Sequence, residues 1–186
     1  MMVAGLILFF GVHVIPHTPF KPMLVGMVGA KPYRGLFSLA SLAGLVLVGM
    51  GYRDVPVEFL FAPAPWAKPV LLIVMPFVFA LFAAANMPTH IRKTLRHPMM
   101  IGTLIWSALH FMANGELAAC YLFGAFFAYA VVSLVLSMLH PADDAAREAA
   151  NSRVAWKFDV MALVGGIVVY GVIASLHGWL FGVSLV

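Results

Sequence analysis

Charge is what this chain has least of. Only 10% of its 186 residues are Asp, Glu, Lys or Arg, against 63% that are hydrophobic. A soluble domain carries about 25% charged residues. No stretch is polar enough and long enough to build one here, and the mean hydropathy of +1.02 agrees. Cysteine is nearly absent. With Cys120 alone, an internal disulfide, a cysteine cage for iron–sulfur or zinc, and a CxxCH haem attachment are all excluded. Carboxylates are missing from the apolar segments except near their ends, at Glu116 and Asp159, so no paired carboxylates exist for acid–base work. No internal repeat is visible, and an inverted-repeat transporter has no support. The first apolar run, in MMVAGLILFFGVHVIPHTPFK, lacks a basic n-region. Its first positive charge, Lys21, follows the run, the reverse of a cleaved signal peptide. It is read as an uncleaved first span.

What remains is an all-α, polytopic integral membrane helical bundle of about six transmembrane helices, organised as one domain over residues 1–186. A spanning helix needs about 20 apolar residues. Six segments qualify: Met2 to about Thr18, bent by Pro16; Gly35–Tyr52; Pro69–Asn86, with Pro76 inside; His97–Ala113; Leu117–Leu139; and Val160–Val183. The turn Asn114–Glu116 is short enough to make the fourth and fifth an antiparallel hairpin.

The basic residues test this assignment. Lys21, Lys31 and Arg34 fall in the first loop, Arg92, Lys93 and Arg96 in the third, and Arg147, Arg153 and Lys157 in the fifth. Only Arg53 and Lys68 fall elsewhere. Odd loops in the cytoplasm then put both termini outside, in the periplasm of a bacterial inner (cytoplasmic) membrane. Trp66, Trp179 and Tyr52 read as outer interfacial aromatics and Trp156 as an inner one. The net charge of +4 and pI near 9.5 come from these topology-setting clusters, so nucleic acid is not the expected partner. The partner is the lipid bilayer. The fifth loop, HPADDAAREAANSRVAWK, suits a short surface helix or a solvated linker.

The histidines carry the chemistry. His17, His90 and His140 read as interfacial polar residues, and His177 as an outer-interface residue. His97 belongs to an Arg96–His97–Pro98 triplet opening a helix, where Arg96 and the helix N-terminus can hold an anion. His13 and His110 lie inside apolar spans, in FFGVHVI and WSALHFM, and an ionisable residue there is a functional candidate. At 1.5 Å per residue, His13 lies roughly 12 Å from Lys21 and His110 roughly 20 Å from His97. Both then fall in the middle third of a core about 30 Å thick. Two imidazoles at one depth can clamp one metal or one haem. Gly11, Ser107 and Ala113 leave room for a flat ring, and Phe9, Phe10 and Phe111 supply aromatic walls. Lys21, Arg34 and Arg96 are candidates to pair with haem propionates. The bland alternative is a pair of neutral histidines hydrogen-bonded across the bundle. Ser107, three residues before His110, is spaced for contact with it, but a serine nucleophile needs a base and an orienting group as well.

Three blocks resemble the NnrU family of bacterial membrane proteins: GVHVIP at His13, KPYRGLFSLASLAGLVLVGMGY from Lys31 to Tyr52, and RHPMMIGTLIWSALHFMANGE from Arg96 to Glu116. The resemblance runs over essentially the whole chain. It implies a link to nitrite and nitric oxide metabolism in denitrification, with a nitrogen oxide or a hydrophobic small molecule as ligand. The same domain occurs in zeta-carotene isomerase, which uses haem b with two axial histidines. Carried over by motif, those ligands fall on His13 and His110, and imply haem b here and isomerase-like haem chemistry. Where the isomerase has a cysteine three residues before its second ligand, this chain has Ser107, and a hydroxyl is a poor substitute for a soft thiolate. The Arg96, His97, Pro98 and Gly102 pattern also resembles membrane methyltransferases of the isoprenylcysteine carboxyl type, which bind S-adenosylmethionine. Met100 replaces their tyrosine, and the paired glutamate is missing. A non-enzymatic membrane subunit is the third reading.

Overall fold

A computed structural model describes residues 1–139, 153–182 and 185. Among these the only β-pairing is an isolated antiparallel bridge between Phe59 and Glu116, and the fold is all-α. The expected surface helix of the fifth loop, His140 and Arg147 lie outside the described residues.

Helix α1 is Met2–Val14, followed by one 3-10 turn, Ile15–His17. The chain then turns by 95° into α2, Phe20–Val28. Pro16 and Pro19 lack the N–H that would carry α1 onward. Gly29, at φ 89°, separates α2 from α3, Ala30–Tyr52. Pro32 is tolerated in the first turn of α3 because its missing N–H would have no partner there. Lys31 and Arg34, expected in a loop before Gly35, thus belong to the first turns of α3.

Next come α4, Ala67–Ala84, with Pro76 inside it, and the short α5, His90–Leu95, in the expected third loop. Helix α6, Pro98–Ala113, opens on its proline. Leu117–Leu139 forms α7 and Trp156–Phe181 forms α8. Each of the six expected apolar segments is therefore helical over most of its length, with α4 ending at Ala84 and α8 at Phe181. Four helices, α3, α4, α7 and α8, are long and apolar enough to cross a membrane alone; the α1–α2 pair reaches that length only when its two bent halves are counted together. With 16 residues, α6 rises about 24 Å, short of a hydrocarbon core about 30 Å thick. Large apolar side chains stand exposed along the spans, such as Leu39, Ile73, Ile167 and Val168, as faces that meet lipid tails do.

Two compact units emerge. The first holds residues 1–61 and 115–125. Its core is Met2, Leu6, Val48 and Ala118, with Phe10, Tyr52, Val55 and Leu122 packed against it. Helices α1 and α3 meet backbone to backbone: a Cβ on Gly5 would lie 2.7 Å from the Gly44 carbonyl oxygen. Small residues allow such approaches where no hydrophobic effect drives helices together.

The second unit holds residues 62–114 and the described part of 126–186. Here α4 packs against both α6 and α8. Ala80 and Ala84 of α4 and Asp159, Ala162 and Gly166 of α8 are buried. The spacing of three and four residues puts the latter three on one face of α8.

Candidate functional site

In the first unit, His13 sits in the last turn of α1, half-buried. Its Nδ1 lies 2.7 Å from the Phe9 carbonyl oxygen. A carbonyl only accepts, so Nδ1 carries the proton and the lone pair of the neutral ring falls on Nε2. The ring lies against Phe9, with centroids 4.2 Å apart, and against Phe37 of α3 at 4.9 Å. The break after Val14 changes one expectation. The 12 Å rise counted from Lys21 assumed a continuous helix, and α1 ends one residue past His13.

In the second unit, His110 repeats this arrangement. It occupies the last turn of α6, and Nδ1 donates to the Trp106 carbonyl at 2.8 Å. Trp106 stands beside it, with centroids 5.2 Å apart, and meets Phe126 edge-on. Asn114 Nδ2 donates to the His110 carbonyl at 2.7 Å, which closes the helix end. Ser107 is fully buried, and its hydroxyl donates to the Thr103 carbonyl at 2.7 Å, with the Leu104 carbonyl at 3.1 Å. Its proton is thus committed to the backbone of its own helix.

A metal-ligating histidine characteristically donates its second ring N–H to a carbonyl or carboxylate, which fixes the tautomer and the ring plane. Both histidines meet that requirement within their own helices. Among the described residues no group of three or more His, Cys, Asp or Glu converges. A haem needs only axial donors from the protein, since the macrocycle supplies the other nitrogens. The donor chemistry of the two rings therefore fits haem iron better than a protein-only metal cage.

Arg34 is exposed near the start of α3, its Nε donating to the Ala30 carbonyl at 3.2 Å. Arg96 and His97 are exposed between α5 and α6. Arg96 has φ 62° and ψ −45°, and the His97 N–H bonds the Leu95 carbonyl at 2.6 Å. This is a γ-turn of the strained, positive-φ kind. The motif that read as an anion grip is first of all a tight corner from which Pro98 launches α6. Relief of that strain in Arg96→Gly is expected to raise stability by about 1 kcal/mol. Denaturant titration of the detergent-solubilised protein, followed by circular dichroism, measures it; an unchanged or lower midpoint would contradict the strain.

One cluster escaped the sequence reading. Asp159, 4% exposed on α8, directs its carboxylate at the start of α5. Oδ2 accepts from His90 Nδ1 at 2.7 Å and from the His90 N–H at 3.2 Å, and Oδ1 accepts from the Ile91 N–H at 3.1 Å. Thr89, fully buried, caps the same helix by accepting from the Arg92 N–H at 2.9 Å. Trp156 stacks on the His90 ring with centroids 4.2 Å apart. His90, read as an interfacial residue, is thus one half of a pair whose carboxylate is buried and whose ring is partly exposed. The available signal was the lone carboxylate opening an apolar span. Asp159→Ala leaves those donors unanswered, and is expected to cost about 2–3 kcal/mol in the same titration. His90→Ala, which keeps the two backbone bonds, should cost less.

The apolar helices and paired small-residue contacts define a polytopic all-α membrane protein. The match to the NnrU protein family covers residues 1–185, and the chain belongs to that family. Searches of curated proteins and of solved structures returned no match.

Proposed function

We propose that this NnrU-type protein binds haem b through His13 and His110 and acts in nitrite and nitric oxide metabolism. It resides in the bacterial inner membrane, with both termini in the periplasm. The observation that carries the reading is the repeated anchoring of the two histidines. Each Nδ1–H is tied to the carbonyl four residues earlier, which leaves Nε2 as the basic nitrogen. The bound haem would supply an iron centre able to exchange electrons or take up a nitrogen oxide. The chain's own contribution is to hold the imidazoles in one tautomer and keep them in apolar surroundings. Phe9 and Phe37 do this at His13, and Trp106 at His110. Such surroundings limit water and help set an iron's potential.

The test is an absorption spectrum of the full chain, purified after expression with ample haem. A Soret band with the split visible bands of six-coordinate haem is expected, and nitric oxide should shift it. A protein that is folded by circular dichroism but has no Soret band would sink the proposal.

A further inference from the structure

Next to His13, whose ring touches the shared wall residue Phe37, the first unit has an open cavity of about 390 Å³ lined by Pro16, Lys21, Val25, Tyr33, Arg34 and Phe37, with Ala30. Three of its features need an explanation together. Its wall is mostly apolar, yet two cations stand on it. Neither Lys21 nor Arg34 has a carboxylate partner among the described residues. The Tyr33 hydroxyl is buried with no hydrogen-bond partner, an arrangement that costs free energy unless a ligand completes it.

Among the described residues of this unit, no acid stands near the cations. The first carboxylate in the sequence is Asp54. It follows the far end of α3, twenty residues beyond Arg34 and roughly 30 Å along a helix. Glu58 and Glu116 of the same unit lie near that far end too: the Glu58 carbonyl bonds the Leu117 N–H, and Phe59 pairs with Glu116. Among the described residues of the unit, the end that holds Lys21 and Arg34 is therefore basic.

The source of the missing anion is suggested by α2. This helix has no buried residue, and Phe20, Met23, Met27 and Val28 are all exposed. A short apolar helix turned 95° from the span before it suits the boundary between acyl chains and headgroups. Lipid is thus the medium outside the cavity's own wall.

We propose that this cavity is a binding site for the phosphate headgroup of an anionic membrane lipid. Lys21 and Arg34 pair with the phosphate, the Tyr33 hydroxyl donates to one of its oxygens, and Val25 and Phe37 receive the start of an acyl chain. The inference is independent of the haem proposal.

Native mass spectrometry of the full chain in a mild detergent tests it, with phosphatidylglycerol, phosphatidylcholine and inorganic phosphate as separate probes. Phosphatidylglycerol should be retained in preference to phosphatidylcholine. The double variant Lys21→Gln with Arg34→Gln should bind it about thirtyfold less, as the loss of two basic contacts to an anionic lipid implies. Tyr33→Phe separates binding from folding, because its two effects have opposite signs. It should weaken phosphatidylglycerol about threefold or more by removing a donor to a charged acceptor. It should also leave the lipid-free protein at least as stable, since a buried unpaired hydroxyl is gone. Equal retention of both lipids, wild-type binding by either variant, or inorganic phosphate binding as well as the lipid would each overturn the site. Loss of haem from the double variant with lipid binding unchanged would also overturn it, and would assign the cations to haem carboxylates. Selective lipid binding by a chain without a Soret band would uphold the site while ending the haem proposal.

Discussion

Alanine at His13 or at His110 is expected to lower haem retention by about 100-fold or more, since loss of even an outer-shell partner of a metal ligand costs 10–100-fold. The helices themselves should survive. Each ring donates to a carbonyl of its own helix, and loss of that terminal hydrogen bond costs about 1 kcal/mol. Circular dichroism should therefore stay near wild type while the Soret band collapses. Exogenous imidazole, which can enter the space left by the side chain, should restore part of the band in each variant. Full retention of haem in both variants would reject these two residues as ligands whatever the wild-type spectrum shows. A collapse in one variant alone would leave a single-histidine site, and its spectrum would be five-coordinate.

Gly166→Leu is expected to destabilise the second unit by about 3 kcal/mol or more. A Cβ at Gly166 would meet the Ala80 nitrogen in overlap, and would lie 2.6 Å from the Ala80 Cα and 2.8 Å from the Phe79 carbonyl carbon. All three are backbone atoms of α4 and cannot swing aside as a flexible side chain does. The two helices must separate, and with them goes the packing of Ala80, Ala84 and Ala162. The neighbouring residue supplies the control. A Cβ on Gly165 meets nothing within 4 Å, and Gly165→Leu should stay within about 0.5 kcal/mol of wild type. Denaturant unfolding of both variants in one detergent measures the difference. Equal midpoints would mean that α4 and α8 are not held this closely.

The long helices were legible because lipid imposes one simple rule. Backbone groups must be satisfied within the segment, so a sustained apolar run such as Leu117–Leu139 admits little besides a helix. The breaks were less legible. Helix α2 and the early start of α3 depend on Pro19 and on Gly29 at positive φ, which are local conformational facts inside an apolar background. The basic cluster of the third loop marked a membrane surface but hid α5, whose existence rests on Thr89 and on a carboxylate 69 positions further along. Periodicity carries no information about a partner that distant. For the candidate site, the sequence singled out His13 and His110 as polar residues in apolar runs. It did not show that each donates Nδ1–H to its own helix, which depends on rotamers. Nor did it show that the Ser107 hydroxyl is tied to Thr103. Counting residues also overstated the regularity of the path from His13 to Lys21, because the count assumed a rise that the bend interrupts.

The tie between Asp159 and the first turn of α5 sets an order of events during synthesis. A ribosome adds roughly 5–20 residues per second, so the 69 positions between His90 and Asp159 take about 3 to 14 s to appear. During that interval α6 and α7 are synthesised. The corner that α5 forms must wait, half-built, for the last span. Helix α8 is therefore the latch of the second unit, and a chain stalled before it would leave the His90 and Ile91 N–H groups without their carboxylate.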